Sequence, residues 1–307
     1  MSTRAPTDDR EDATRPEVLL RHGPMGEEFS RTAMYVALYR ALETVERRRT
    51  PLFRDPFAVR FLPLRLTAAV RAARRPWLHQ LISCYADERA PGARTSAIGR
   101  TRFIDDVVRQ AVAAAIEQIV LLGAGFDCRA HRMAELRTCR VFEVDREATQ
   151  AFKRSRVPQD AKNVFYVCVD FLKDDVFARL REAGWNSQER TLFIWEGVTN
   201  YLTAGAVAGV LARVGSASPG STMVFTYVHR GVLDGSARFA GAERVLRNVE
   251  ALGEPWTFGL APDEVSPFVR RFGLRLREDL GADEYRARYL HEHLRGYAFY
   301  RIAVVEV

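Results

Sequence analysis

The sequence predicts an α/β fold: a seven-stranded, mostly parallel sheet with an antiparallel edge hairpin and a helical cap. Three observations predict it. Short apolar runs without helical period occur at Ile119–Leu122, Val141–Val144, Val164–Val169, Leu192–Trp195 and Met223–Val228. Helix-compatible stretches separate them, the alternation expected of parallel strands buried on both faces. The chain has 307 residues, 47% of them hydrophobic, enough to bury a large core.

Each element follows from a local signal. Residues 1–24 read as a disordered polar tail. Over residues 29–48, Phe29, Ala33, Val36, Ala37 and Leu42 recur at helical spacing, and Arg47-Arg48-Arg49 and Pro51 close the helix. A looser helical region with prolines runs to about residue 94, so residues 25–98 read as a cap segment and 99–307 as the main domain. A stripe of Phe103, Ile104, Val107, Val108 and Ala111 predicts a helix ending near Glu117. After the five strands, residues 229–262 are too long for a plain connection. They hold Ala242, Val245, Leu246 and Val249 at helical spacing, then Trp256 and Phe258, and read as a lid over the sheet. Phe272, Leu274 and Leu276 alternate with polar residues, and Phe299–Val307 is another apolar run, so these two read as the edge hairpin.

Composition narrows the function. No apolar run approaches the roughly 20 residues that span a bilayer, and the first residues lack the apolar stretch of a signal peptide. The expected address is cytoplasmic, with no membrane partner. Cys84, Cys128, Cys139 and Cys168 form no C-x-x-C pair and no histidine cluster has ligand spacing, so no metal is expected. The thiols read as small buried apolar groups in a reducing compartment. His291 and His293 stand two apart, in what reads as a helix or loop. The net charge of +7 is carried almost wholly by arginine. It fits an anionic partner or an arginine-rich surface. Arg47 to Arg49 and Arg71, Arg74 and Arg75 read as solvated helix faces, because no aromatic stacking platform interrupts them. Nucleic acid is therefore not the expected partner.

The chemistry concentrates at strand ends, where open α/β sheets bind ligands. The first strand runs into Gly123-Ala124-Gly125-Phe126-Asp127, whose glycines let backbone approach a ligand closely. The second ends at Asp145, 22 positions after Gly123 and suited to ribose hydroxyls. Both NAD and S-adenosylmethionine fit this pair. A dinucleotide fingerprint wants a third small residue, but Cys128 stands there, and Asp127 would repel pyrophosphate. That acid does not oppose a sulfonium with an amino group, so the balance favours S-adenosylmethionine. The third strand ends at Asp170-Phe171, able to hold and cover an adenine, with helix capping as the plain alternative for the Asp. The fourth ends at Glu196, an acid on a buried strand that requires a cationic partner.

In order, RTAMYVALYRALE, RDPFA, GRTRFIDD, LLGAGFDCRAHRM, VFEVD, VDF and WEGVTNYLT resemble the leucine carboxyl methyltransferase family, from about Thr32 to the C-terminus. They are most similar to its bacterial branch of S-adenosylmethionine-dependent methyltransferases, which includes polyketide carboxyl O-methyltransferases. The resemblance implies a class I methyltransferase (Rossmann-like) fold with a helical cap. It implies that Arg100, helped by Arg40, pairs with the cofactor's methionine carboxylate and that Gly123 and Gly125 line the methionine end. Asp145 would hold the ribose, Asp170 and Phe171 the adenine, and Glu196 the amino-acid region. Asn200 departs from the pattern, standing where many relatives have an apolar residue.

Methyl transfer asks the protein chiefly to align donor and acceptor and to exclude water. A carboxylate acceptor is already ionised at neutral pH, whereas a phenol needs a base. The expected acceptor is therefore a small-molecule acid. Phenol or hydroxyl methylation and methylation of a protein C-terminus are the alternatives. His229, beyond the fifth strand, is the best base candidate; Tyr201, Asn200 and Tyr227 are candidates for substrate contact. His131 reads as a helix-surface residue.

Overall fold

The computed structural model describes residues 31–171, 173–251, 253–290 and 297–307. The expected polar tail, Phe29, His291 and His293 lie outside the described residues. The apolar runs become β1 (Gln118–Leu122), β2 (Arg140–Asp145), β3 (Val164–Cys168), β4 (Thr191–Trp195) and β5 (Thr222–Val228). With β6 (Arg275–Leu280) and β7 (Tyr300–Glu306) they form one sheet of order β3-β2-β1-β4-β5-β7-β6. β1 to β5 pair in parallel, and β7 runs antiparallel to both β5 and β6.

Period-two alternation sends neighbouring strand residues to opposite faces. Val120 and Leu122 join Phe142, Phe193 and Phe225 in one core, covered by α7 (Val176–Glu182), α8 (Ala204–Gly215) and α11 (Pro262–Arg270). Ile119 and Leu121 join Val141, Ile194 and Val224 in the other, covered by α4 (Ala93–Ala113) and α12 (Ala282–Tyr289). Each fully buried aliphatic or aromatic side chain here contributes roughly 1.5–3 kcal/mol. Because both faces are dry, the carboxyl edge is left to bind a ligand.

α1 (Arg31–Thr44), a 3-10 turn (Ala58–Phe61) and α2 (Leu64–Ala72) build a separate apolar cluster from Met34, Ala37, Leu38, Phe61 and Val70, against which Ile82 of α3 (Pro76–Arg89) packs. Phe126, from the glycine turn after β1, inserts into that cluster and stacks on Phe61 at a centroid distance of 4.7 Å. The first-strand turn and the helical layer are thus packed together. α4 runs unbroken from the helical layer to the sheet, about 31 Å at 1.5 Å per residue.

Several boundaries differ from the sequence-based expectation. α1 stops at Thr44, because the Glu46 carboxylate accepts the Arg47 and Arg48 N–H groups and Glu43 accepts Leu52 N–H. These side chains offer the backbone an alternative to further helix. The sixth strand starts at Arg275, since Gly273 (φ +77°) ends α11 and Leu274 N–H bonds back to Val269 O. The two last strands pair antiparallel at the sheet edge as expected, but α12 lies in their connection, so they are not joined by a simple turn. Cys128 and Cys139 are buried as expected, but Cys84 and Cys168 are exposed. Among the described residues no helix is long and apolar enough to cross a membrane.

Candidate active site

A cleft of about 1310 Å³ opens at the carboxyl edge of the sheet. The turns after β1, β2, β3 and β4 form its floor; α1, α3 and α10 (Ala242–Ala251) form its walls. Of the residues singled out from sequence, Arg40, Arg100, Gly123, Gly125, Asp145, Asp170, Phe171, Glu196 and Tyr201 line it.

The floor follows from the two glycines. Gly123 has φ +70°, and a Cβ there would lie 2.5 Å from Val198 Cγ2. Gly125 has φ +47°, but a Cβ would meet nothing nearer than Gly123 O at 3.9 Å. The first position therefore needs glycine for space and backbone, the second for backbone alone. Gly123→Ala should destabilise the protein by about 2–4 kcal/mol, left-handed strain plus overpacking, and Gly125→Ala by about 1–2 kcal/mol. Denaturant unfolding of both variants checks this; equal losses would contradict the packing argument. Gly125 N–H donates to Asp145 Oδ2 at 2.6 Å, and Arg146 N–H donates to Oδ1 at 2.8 Å. The Asp145 carboxylate is thus fixed at the end of β2 with lone pairs left for a ligand. At the next strand end Asp170 pairs with Lys173 Nζ at 3.3 Å, at the edge of the cleft.

The charged centre lies between α4 and the end of β4. Arg100 Nε is 3.5 Å from Glu196 Oε1, its Nη1 donates to Ser96 Oγ at 3.0 Å, and its guanidinium lies 4.2 Å from the Tyr300 ring centroid. Neither Arg100 Nε nor Glu196 Oε1 makes a hydrogen bond among the described residues. Both residues line the cleft, and their mutual pair is long, so a cation and an anion lie within reach of a zwitterionic amino-acid group. Arg40 is committed elsewhere: Nε lies 3.2 Å from Asp55 Oδ2, and Nη2 donates to the Phe126 carbonyl. It ties α1 to the glycine turn.

The sequence did not single out Arg129, which organises this centre. It is only 1% exposed. Its guanidinium contacts Asp105 at 2.8 Å, Glu196 at 3.2 Å, Asp127, and the Thr101 carbonyl at 3.3 Å. Burial opposes the charge, but Asp127, Glu196 and Asp105 outweigh it and hold the Arg129 pKa above its ordinary value. Burial would likewise raise the Asp127 carboxyl; Arg129 and Arg40 reverse this and lower it to about 2. The only hint in sequence was an arginine two residues after Asp127 in a four-residue helix.

Three candidates lie away from the cleft lining. His229 Nδ1 accepts the Gly231 N–H at 3.0 Å and the ring packs on Phe239, so it caps a short helix. Burial and then Arg301 lower its pKa. Tyr227 is fully buried, with its hydroxyl 3.0 Å from both Asp279 oxygens and bonded to Arg301. Asn200 is also fully buried. Its carbonyl accepts Thr257 N–H at 2.7 Å and its Oδ1 accepts the Tyr300 hydroxyl at 3.4 Å, pinning residues beyond α10 to the sheet. His131 is half-buried rather than on the surface, between Phe57 and the Tyr166 hydroxyl. Burial and Lys153 lower it to about 4.

Comparison with known proteins shows the family and the fold. The family model described as leucine carboxyl methyltransferase matches residues 33–215. A Frankia alni protein is 39% identical over 223 residues, 68% of this chain and 71% of its own length. A Mycobacteroides abscessus protein is 32% identical over 265 residues, 82% and 80% of the two chains. Both are named for S-adenosyl-L-methionine-dependent methyl transfer. A solved Thermobifida fusca structure described as a methyltransferase has a TM-score of 0.55 at 18% identity, covering 88% of this chain and 93% of its own. A Streptomyces avermitilis structure has a TM-score of 0.57 at 13% identity, covering 87% and 96%. At these identities the two structures speak for the fold.

Proposed function

From the premise that this chain belongs to the leucine carboxyl methyltransferase family and is an S-adenosylmethionine-dependent methyltransferase, we propose that it methylates a carboxylate of a small-molecule acceptor. One observation carries this reading. Among the described residues the cleft lining holds no histidine, and burial pushes the lining Tyr201 hydroxyl up to about 12. Tyr201 thus stays protonated at neutral pH, which disfavours it as a base. A carboxylate needs none.

In this proposal Glu196 and Arg100 hold the ammonium and carboxylate of the cofactor's amino-acid tail. Gly123 and Gly125 admit that tail against bare backbone, Asp145 accepts from the ribose, and Asp170 with Phe171 holds the adenine. Arg40 acts one step back, fixing the glycine turn. The bound cofactor supplies a methyl carbon activated by a positively charged sulfur. The protein's share is alignment and water exclusion, with residues 229–262 as lid and α1 to α3 as cap.

The test is release of S-adenosylhomocysteine across small acids and matched phenols, as a function of pH. Acids should be turned over with a flat profile from pH 6 to 8, because a carboxylate with a pKa near 4 is already ionised across that window and needs no base. Preference for phenols, with a limb inside that window, overturns the carboxylate reading.

A further inference from the structure

At about 1310 Å³ the cleft exceeds the 300–1,000 Å³ that serves a drug-sized ligand. The floor residues assigned above account for the cofactor. What remains is mainly apolar wall, from Ile82 on α3 and Val245 and Val249 on α10 to Leu66 on α2. That wall does not stop inside the protein. Leu81 and Tyr85, one on each side of Ile82 along α3, line the same cleft yet are 60% and 53% exposed. Among the described residues the exposed large hydrophobics are Leu64, Trp77, Leu81 and Tyr85, all on α2 and α3. A lone exposed leucine is ordinary; two on a rim continuous with a buried apolar wall mark a track. Two of the cations at this end are tied to α3: Arg89 lies over the Tyr85 ring and Arg244 donates to the Glu88 carbonyl. They favour entry of an anion without breaking the wall.

We infer that the acceptor is an elongated acid with an apolar body, its carboxylate at the floor and its chain along α3 and α10 to the Leu81–Tyr85 rim. This rests on the methyl-transfer reading above and specifies its substrate class. A short polar acid would leave the wall wet, whereas each methylene laid on it is removed from water. That is worth about fourfold in kcat/KM per carbon, the equivalent of about 0.8 kcal/mol.

The probe is a series of linear saturated acids from four to twelve carbons, assayed with S-adenosylmethionine in the full chain. kcat/KM should climb about fourfold per added carbon until the chain reaches the rim. In Ile82→Asn and Val245→Asn the slope of log kcat/KM against chain length should fall by half or more. A slope is internal to each variant, so a partly misfolded preparation, which scales all acids alike, leaves it unchanged. A flat series in the parent protein, no turnover of any linear acid, or preference for peptide C-termini or phenols overturns the inference. Loss of S-adenosylhomocysteine binding in the parent would instead defeat the methyl-transfer reading, so the two failures are distinct.

Discussion

Arg129→Leu should lower stability by about 3–5 kcal/mol, the range for removing one partner from a buried ion pair. Asp105 would keep Arg132 at 2.6 Å and Glu196 would keep Arg100, but Asp127 would lose its closest cation. In a protein of this size that corresponds to a fall in Tm of about 5–8 °C. Arg129→Lys should fall between, since an ammonium keeps the charge but cannot span three acids with one planar fork. A Tm within 2 °C of the parent for Arg129→Leu would show that the centre does not depend on this residue.

The second large effect concerns the cofactor. Arg100→Ala and Asp145→Ala each remove a charge-assisted hydrogen bond, worth roughly 1.5–3 kcal/mol, so affinity for S-adenosylhomocysteine should drop tenfold or more in each. Among the described residues their partners differ, Gly125 and Arg146 N–H for Asp145 and Glu196, Ser96 and Tyr300 for Arg100. Their losses should therefore add within about 0.5 kcal/mol in the double variant. Calorimetric titration reads all three; unchanged affinity in both single variants would remove these residues from the site.

Much of this was legible in the sequence, for identifiable reasons. A strand buried on both faces has to be apolar throughout, so Ile119–Leu122 and Leu192–Trp195 announce themselves. Because ligands meet an α/β sheet at its carboxyl edge, the polar residue ending each run was a candidate wherever the helices lay. Asp145, Asp170 and Glu196 all line the cleft for that reason. The misplacements have equally local causes. Tyr227 and His229 close the fifth strand, yet Tyr227 turns toward Asp279 on β6, 52 residues on, and His229 toward its own short helix. Asn200 follows the fourth strand, but its carbonyl was claimed by Thr257, a pairing no periodicity encodes. Phe272 and Leu274 alternate like a strand because the end of a helix, with Gly273 in a left-handed turn, places its apolar residues at the same spacing.

Arg129 is the instructive omission. Its four-residue helix has too few positions to show a period, and its partners Asp105 and Glu196 are 24 and 67 residues away. A buried cation is recognisable only once its anions are in place, and the fold assembles those from α4, the glycine turn and the end of β4. The sequence shows where the ligand edge lies; the packing decides which charges face it.

Isothermal titration of the 307-residue chain with S-adenosylhomocysteine is the most direct measurement of the central claim, that this carboxyl-edge cleft seats a sulfonium nucleoside. Saturable one-to-one binding that weakens in Asp145→Ala is the predicted result. No heat of binding to S-adenosylhomocysteine or to S-adenosylmethionine, from folded protein, would contradict it.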